Sequence, residues 1–150
     1  MDSFCVRPAA PEERKTLEAL QWRASLDKPR YRDQLLEHPD AIAIPEGQIE
    51  SGGVFVAECE GTLGGFAAVV CEAGGHFELD GLFVEPALQR RGIGRLLIEH
   101  CMQYVRSRGG SALFVVANPD ATEFYSALRF ETIGSAETRF GPATRMRLTI

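Results

Sequence analysis

The chain has 150 residues, of which 45 % are hydrophobic and 25 % are charged, and its formal net charge is −5 at pH 7. This size and composition are typical of one soluble globular domain with a core of its own, which we expect to span residues 1–150. The negative charge argues against nucleic acid as the main partner, because binding to a phosphate backbone favours a basic surface.

The first third of the sequence predicts one strand, two helices and a loop. The segment Phe4-Cys5-Val6-Arg7-Pro8 predicts a short strand. Residues 11–22 begin with a proline and two acidic residues, which suit a first helical turn and predict a helix. Residues 29–38 carry a second helical pattern, which a following proline ends. Residues 40–53 contain one proline and three glycines and predict a loop.

The middle of the sequence predicts three strands and a long helix. The strand patterns cover residues 54–59, 63–71 and 76–84, and the short gaps between them contain glycine, which is typical of antiparallel hairpins. Residues 93–105 place apolar side chains at intervals of three and four, so they predict one amphipathic helix. A pair of glycines at 109–110 ends it.

The last third predicts a buried strand, a short helix and two more strands. Residues 112–116 are continuously apolar, which is typical of a central strand. The short helix is expected to begin with a capping box of Asp120 and Glu123. Residues 130–133 and 144–150 carry the last strand patterns. The resulting order, β-α-α-β-β-β-α-β-α-β-β, predicts an α/β (α+β) fold with a mixed sheet.

The four cysteines predict neither a metal site nor a disulfide framework. None of them forms a C-x-x-C pair, and no histidine cluster accompanies them. Cys59, Cys71 and Cys101 lie in apolar runs and are expected to be small core residues. No secretory signal and no apolar run of membrane-spanning length is evident, so we expect a cytoplasmic protein without a membrane partner.

The segment between the predicted hairpins and the long helix reads Gln89-Arg90-Arg91-Gly92-Ile93-Gly94. Its glycines permit a tight turn and the close approach of a ligand. The helix that follows points free amide groups and the positive end of its dipole at the turn. Arginines within the turn and Arg95 just after it add positive charge, and the main-chain amides of residues 90–95 are expected to make most of the phosphate contacts. The sequence therefore predicts a site for a pyrophosphate.

Three motifs in this order resemble the GNAT superfamily of N-acetyltransferases. The loop matches the phosphate-binding signature of that family, Q/R-x-x-G-x-G/A, at all three defined positions. Residues 118–130 look like the family segment N-x-x-A-x-x-F-Y-x-x-x-G-F, with Arg129 where the family often has glycine. Residues 78–86 are similar to its fourth strand, E-L-x-x-L-x-V-x-P. The order of the predicted strands extends the resemblance over the whole chain.

The resemblance implies a single GNAT-like domain with a mixed, mostly antiparallel central sheet of about seven strands flanked by about four helices. It also implies acetyl-CoA as the co-substrate, an amine as the acceptor and no metal. Dimers are common in similar proteins, so a homodimer is a further expectation. The expected cofactor contacts are Leu82, Phe83, Val84, Gln89, Arg90, Arg91, Gly92, Ile93, Gly94, Arg95, Asn118 and Tyr125.

Acetyl transfer to an amine needs a proton acceptor, because an alkyl amine has a pKa of about 10 and attacks only as the free base. Glu78 and Asp80 alternate onto one face of the fourth strand, where a carboxylate, or a water chain leading to it, can take the proton. The alternative is that both are solvated strand residues. The attack also makes an oxyanion, and by resemblance a splayed or bulged fourth strand offers an amide near Phe83 to stabilise it.

Tyr125 is the candidate acid for the leaving coenzyme A thiolate, because a phenol with a pKa of about 10 can donate to a thiolate with a pKa of about 8.5. Phe124 and Tyr125 face different directions on a helix, so we expect Phe124 in the core and Tyr125 free to face the cleft. Two alternatives stay open. One is a partly buried structural tyrosine, and the other is a non-catalytic module that senses acetyl-CoA or CoA.

The sequence says least about the acceptor. An acidic chain favours cationic amines such as polyamines, aminoglycosides or lysine-like amines, and an amino acid or a peptide N-terminus is an alternative. Arg139, Arg145 and Arg147 are candidates for binding an acceptor carboxylate, although arginines on one side of a strand are usually solvated. His38, His76 and His100 are interpreted as ordinary structural residues.

Overall fold

The computed structural model describes residues 3–150, apart from the side chains of Arg30 and Glu46. The strands are β1 (Cys5–Pro8), β2 (Val54–Cys59), β3 (Thr62–Glu72), β4 (His76–Val84), β5 (Ala112–Ala117), β6 (Glu131–Thr138) and β7 (Gly141–Thr149). The α-helices are α1 (Arg14–Leu26), α2 (Pro29–Glu37), α3 (Glu46–Glu50), α4 (Ile93–Ser107) and α5 (Thr122–Ala127). Short 3-10 turns cover Pro11–Glu13, Pro39–Ala41 and Pro86–Leu88.

The seven strands form one mixed sheet in the order β1-β2-β3-β4-β5-β7-β6. Antiparallel pairing joins β1 to β2, β2 to β3, β5 to β7 and β6 to β7, whereas β4 and β5 run parallel. A mixed sheet of seven strands confirms the fold class predicted from the sequence. The sequence predicts about four helices, whereas residues 3–150 contain five.

Contacts within the chain divide it into two compact units. The first contains the chain up to Ala68 together with Gly81–His100, and the second contains Val69–Asp80 together with Cys101–Ile150. A single domain over residues 1–150 therefore stays a prediction. Over the described residues, no helix combines the length and the apolar character needed to cross a membrane.

The additional helix, α3, lies in the segment that the sequence predicts to be a loop. Ile49 of α3 and Ile44 just before it are buried in one apolar cluster with Leu17 and Leu20 of α1. The main-chain N–H of Ile44 also donates to Glu18 Oε2 at 2.7 Å. Burial of two isoleucines thus outweighs the proline and glycines on which the loop prediction rests, as tertiary packing commonly does.

In the second unit, alternate side chains of β5 and β7 are buried. Leu113 lies opposite Leu148, and Val115 lies opposite Met146. All four side chains are buried and, since they alternate along their strands, they share one face of the sheet. The side chains between them belong to the opposite face, which carries the charged residues described below.

The cysteine predictions hold in part. Cys101 of α4 is fully buried, and burial raises the pKa of its thiol to about 12. Cys59 is half-buried. Cys71 is exposed, so its predicted place in the core is wrong. The buried stretch of β3 ends at Val69, and Cys71 lies beyond it on the part of the strand that leads into the hairpin turn at 73–75.

Helix α4 ends in a Schellman motif, as its glycine pair predicts. The N–H of Gly110 donates to the carbonyl of Val105 at 2.9 Å, and the N–H of Gly109 donates to the carbonyl of Arg106 at 3.1 Å. The motif needs one residue in the left-handed region, and Gly109 has φ +77°. Glycine adopts this conformation without a steric cost.

Helix α5 ends in the same motif without a glycine. The N–H of Phe130 donates to the carbonyl of Tyr125 at 3.0 Å, and the N–H of Arg129 donates to the carbonyl of Ser126 at 3.0 Å. Arg129, which replaces the glycine of the family segment, has φ +74°. The hydrophobic contact that accompanies this motif is also present, since the rings of Tyr125 and Phe130 lie 5.1 Å apart. The turn therefore keeps its geometry despite the substitution.

Candidate active site

The loop before α4 has the conformation that its glycines predict. Gly92 has φ +79° and Arg90 has φ +66°, so two positions of the turn are left-handed. The N–H of Leu96 donates to the carbonyl of Gly92 at 3.0 Å, which starts the hydrogen bonding of α4. The side chains of Gln89, Arg90 and Arg91 are exposed, whereas Ile93 is buried and fixes the first turn of the helix.

The N-terminal end of α4 is positively charged. Arg90, Arg91 and Arg95 are exposed there, and the first turn of the helix contains no acidic residue. Arg95 Nε donates to Glu99 Oε1 at 3.2 Å, but both side chains are largely in solvent and their attraction is weak. The helix dipole adds to the positive potential. The arrangement favours an anion bound by the main-chain amides of the turn.

Close backbone packing positions this loop within the first unit. A Cβ atom on Gly65 of β3 would lie 2.6 Å from the carbonyl oxygen of Phe83 and 3.2 Å from Cγ2 of Ile93. The N–H of Glu85 donates to the carbonyl of Gly64 at 2.8 Å. The two adjacent glycines of β3 thus let the end of β4 and the start of α4 approach closely.

An ion pair holds the end of β4 to α1. Arg23 donates from Nε to Glu85 Oε1 and from Nη2 to Glu85 Oε2, both at 2.8 Å. These hydrogen bonds lower the pKa of Glu85 and raise that of Arg23. Glu85 lies just before the 3-10 turn that leads into the loop, so the pair helps to fix where the loop begins.

Strand β4 changes character along its length. Its buried and less buried residues alternate up to Asp80, and the residues from Gly81 to Val84 are all half-buried. The register of β4 with β5 ends at Leu79 and Val115, although β4 continues to Val84. The ring of Phe83 packs 5.4 Å from that of Phe66.

Tyr125 is buried, with 6 % of its surface exposed. Its ring makes edge contacts with Phe124 and Phe130, with both centroids 5.1 Å away. Burial and the nearby Cys101 raise the pKa of the Tyr125 phenol, so it keeps its proton at neutral pH. A raised pKa also makes proton donation less favourable than from a phenol in water.

The expected orientations of Phe124 and Tyr125 are reversed. Phe124 is 37 % exposed and Tyr125 is buried. The predicted capping box is also wrong, because α5 begins at Thr122 with Ala121 as its N-cap and no side-chain cap. The inward orientation of the tyrosine is accompanied by the contact of its ring with Phe130, beyond the end of the helix.

Glu78 lies in a charged cluster that no motif in the sequence predicts. Its Oε1 accepts a hydrogen bond from Arg145 Nη2 at 2.8 Å and lies 2.9 Å from His76 Nε2. The His76 ring stacks on Phe114 at 4.3 Å, and the guanidinium of Arg145 lies 5.7 Å from the centre of the same ring. The i, i+2 spacing of His76 and Glu78 is the signal that places them on one strand face.

Two other predicted site residues are exposed. Asp80 follows Glu78 on the same side of β4 and has a further polar interaction of its own. Asn118 follows the end of β5, and its carbonyl accepts the N–H of Ala121 at 2.9 Å. Within the second unit, Glu78, Asp80, Asn118 and Tyr125 thus lie on or next to β4, β5 and α5.

Glu72, His76 and Glu78 also place one potential metal-ligand atom each within 4.8 Å of one another. Arg145 already donates to Glu78 in this group. A cation bound by Glu78 Oε1 would have to replace that hydrogen bond, so the cluster is better described as an ion pair with a histidine beside it.

Sequence comparison identifies one family. The profile of the acetyltransferase (GNAT) family matches residues 15–130. An uncharacterised N-acetyltransferase of Methanocaldococcus jannaschii is 35 % identical over 91 residues, which are 55 % of this chain and 40 % of that protein. The matched region therefore spans less than half the length of this relative.

Structural comparison agrees on the fold. A GCN5-related N-acetyltransferase of Rhodopseudomonas palustris has a TM-score of 0.77 at 22 % identity, with 100 % of this chain and 98 % of that chain covered. The PaiA N-acetyltransferase of Thermoplasma acidophilum, in complex with coenzyme A, has a TM-score of 0.73 at 16 % identity, with 99 % of each chain covered. With a family profile that matches more than half of its length, this chain belongs to the acetyltransferase (GNAT) family.

Proposed function

We propose that this protein transfers the acetyl group of acetyl-CoA to a primary amine of a small molecule or a protein, by direct attack of the amine while both substrates are bound. The observation that carries the proposal is the arginine-rich turn before α4, with its left-handed Gly92. The complex of a structurally similar N-acetyltransferase with coenzyme A supports the same cofactor.

Cofactor binding is assigned mainly to the main chain. We propose that the amides of residues 90–95 hold the pyrophosphate, with Gln89 beside them. Main-chain groups of residues 82–84 would bind the pantetheine arm, which the end of the β4–β5 register at Leu79 supports. An amide near Phe83 would stabilise the oxyanion. Asn118 is a further proposed contact.

Glu78 is the proposed proton acceptor, directly or through water. The hydrogen bonds that it accepts from described residues involve Oε1, which leaves Oε2 for an amine or a water. The hydrogen bond from Arg145 to Oε1 holds the carboxylate in place on its strand face. Asp80 is the second candidate, because it is exposed on the same side of β4.

Tyr125 is the proposed donor to the coenzyme A sulfur. When the amine attacks the thioester carbon, the C–S bond breaks and the sulfur leaves with the electron pair. The phenolic proton can then pass to the sulfur, and the proton taken up from the amine can return to the tyrosine through solvent. The neutral form favoured by burial supplies that proton.

A sensor that binds acetyl-CoA without turnover is the second candidate function. The burial of Tyr125 and the ion pair of Glu78 favour it, because both residues already have structural contacts. The two functions share the loop before α4. They differ in whether an amine accelerates the release of coenzyme A.

The test measures coenzyme A thiol release from acetyl-CoA with polyamines, aminoglycosides, amino acids and short peptides. Calorimetry measures acetyl-CoA binding in parallel. Amine-dependent release supports the transferase. Tight binding without release on any amine favours the sensor, and the absence of binding contradicts both functions.

We also propose a cytoplasmic location. The four cysteines are free, and Cys5 and Cys71 are exposed, which suits a reducing compartment. A homodimer stays an expectation from the resemblance, and sedimentation of the purified protein tests it.

A further inference from the structure

Arg147, on the charged face of the second unit, has a buried side-chain donor without a partner among residues 3–150. The Nε atom of Arg147 is buried and makes no hydrogen bond to any described residue. Arg145, two positions earlier on β7, is bonded to Glu78. Glu131 lies directly opposite Arg147 on β6, but it is exposed and forms no ion pair with it within the described chain.

Strand register places Arg147 in line with the proposed base. Glu78 pairs with Phe114 across β4 and β5, and Phe114 pairs with Arg147 across β5 and β7. Directly opposed residues project from the same face of a sheet, so the three side chains share one row. Since neighbouring strands are about 4.8 Å apart, the Cα atoms of Glu78 and Arg147 are about 10 Å apart.

A half-buried guanidinium with one donor that has no partner is suited to a carboxylate. Its planar fork matches the two carboxylate oxygens, and the charge-assisted hydrogen bonds are stronger than those between neutral groups. Arg145, on the same face of β7, already donates to Glu78. Arg147 donates no hydrogen bond to a described residue, so it is the arginine near the proposed base that can bind an external anion.

We infer that the acceptor amine carries a carboxylate, as a free amino acid or a peptide does, and that Arg147 binds this carboxylate while the amine faces Glu78. The inference rests on the proposed function and restricts its acceptors to amines that carry a carboxylate. It also explains how a chain of net charge −5 can select an anionic group, since a single unneutralised guanidinium provides the local attraction.

The test compares each acceptor with its own amide. Glycine, leucine, lysine and diglycine are assayed beside glycinamide, leucinamide, lysinamide and diglycine amide, with putrescine as an amine that lacks a carboxylate. The amide amines are less basic and supply more free base at neutral pH, so a preference for the acids cannot come from amine basicity. We expect the acids to have the higher kcat/KM.

The variant Arg147→Gln is expected to lower kcat/KM for the acids by about 10- to 100-fold, the range for hydrogen bonds to a charged group, and to change the amides by less than about three-fold. Arg147→Lys keeps the charge without the fork and should retain part of the preference. Thermal melting shows whether Arg147→Gln folds, and if it does not, Arg147→Lys is the variant used for the test. Arg108→Gln is the matched control, because it removes an exposed positive charge that contacts Tyr104 at the end of α4.

Release with acids and amides alike, or an acid preference that survives Arg147→Gln, overturns the inference and leaves the proposed transferase standing. If no amine promotes release, calorimetry measures the binding of the same acids and amides to the acetyl-CoA-loaded protein, and this binding tests the carboxylate site. Binding of acids that Arg147→Gln abolishes supports the carboxylate site although the transferase fails, and equal or absent binding of acids and amides overturns the inference.

Discussion

The loop before α4 and the helix α5 each supply part of the proposed chemistry, but in opposite ways. The loop is exposed, its backbone is left-handed at Arg90 and Gly92, and its proposed contacts come from main-chain amides. Helix α5 contributes one side chain, Tyr125, which is buried against two aromatic rings. A backbone site is sensitive to conformation, whereas a side-chain site is sensitive to the loss of single atoms.

The largest expected effect is on kcat, and it tests the role of the Tyr125 side chain. Tyr125→Phe removes one oxygen and should lower kcat by about 100-fold, within the range for general acid catalysis, while the Kd for acetyl-CoA stays unchanged. Steady-state kinetics and calorimetry measure the two quantities. Tyr104→Phe on α4 is the control. A kcat within two-fold of the unmodified protein would remove Tyr125 from the mechanism.

The next prediction tests the close packing of Gly65 against the backbone of β4, next to the loop. Gly65→Ala places a Cβ 2.6 Å from the carbonyl oxygen of Phe83, which is backbone and cannot move alone. We expect a loss of about 1–3 kcal/mol in the free energy of unfolding, as for other overpacked sites. Urea denaturation measures it. An unchanged midpoint would show that β3 and β4 are less closely packed than described.

Gly92→Ala probes the conformation of the loop alone. No atom lies within 4 Å of the added Cβ, but alanine at φ +79° costs about 1 kcal/mol. If the loop relaxes to avoid this cost, affinity for acetyl-CoA should fall by about five-fold, which calorimetry detects. Gly47→Ala in α3 is the matched control, since it has equal space and no left-handed φ. Equal affinities in both variants would argue against a backbone site.

The end of α5 offers a stabilising change. Arg129→Gly removes the side chain from a left-handed position and should raise the free energy of unfolding by about 0.5–1 kcal/mol. The reciprocal variant, Gly109→Ala at the end of α4, should lower it by a similar amount. Thermal unfolding compares the two. The same sign in both variants would contradict the shared Schellman geometry.

The smallest expected effect concerns pH. Arg23 lowers the pKa of Glu85 below its ordinary value of 4.5, so the pair stabilises the fold above that pH and the contribution is lost as the pH falls through the lowered pKa. Arg23 is half exposed, so the coupling should stay below about 1 kcal/mol. A double-mutant cycle with Arg23→Gln and Glu85→Gln at pH 7 and pH 3 tests it. A coupling free energy between Arg23 and Glu85 that is larger at pH 3 than at pH 7 would contradict the predicted loss of stabilisation at low pH.

The sequence predicted those parts of the fold that depend on local pattern. The strands from β2 to β5 and the helix α4 follow from alternation, apolar periodicity and glycine pairs. Helix α3 could not be predicted in this way, because it depends on Ile44 and Ile49 packing against residues distant in the sequence. The prediction that Cys71 is a core residue was wrong for a related reason, since apolar neighbours alone do not show where the buried part of a strand ends.

The candidate site shows the same division. The loop before α4 was predictable because glycine spacing and charge act locally. The ion pair of Glu78 with Arg145 joins residues on β4 and β7, and no spacing in the sequence indicates it. The inward orientation of Tyr125 involves a contact with Phe130, which lies beyond the end of α5 and outside the helical pattern.

Because Cys101 is buried, the rate at which its thiol is modified reports how often the second unit opens. Alkylating reagents attack the thiolate, and a fully enclosed thiol whose pKa is raised to about 12 reacts only after the surrounding structure separates. Cys5 and Cys71 are exposed and should react first. The delay before Cys101 is modified therefore reports the protection of the fold around it, and a small molecule that lengthens this delay is bound to the folded protein even if no chemistry follows.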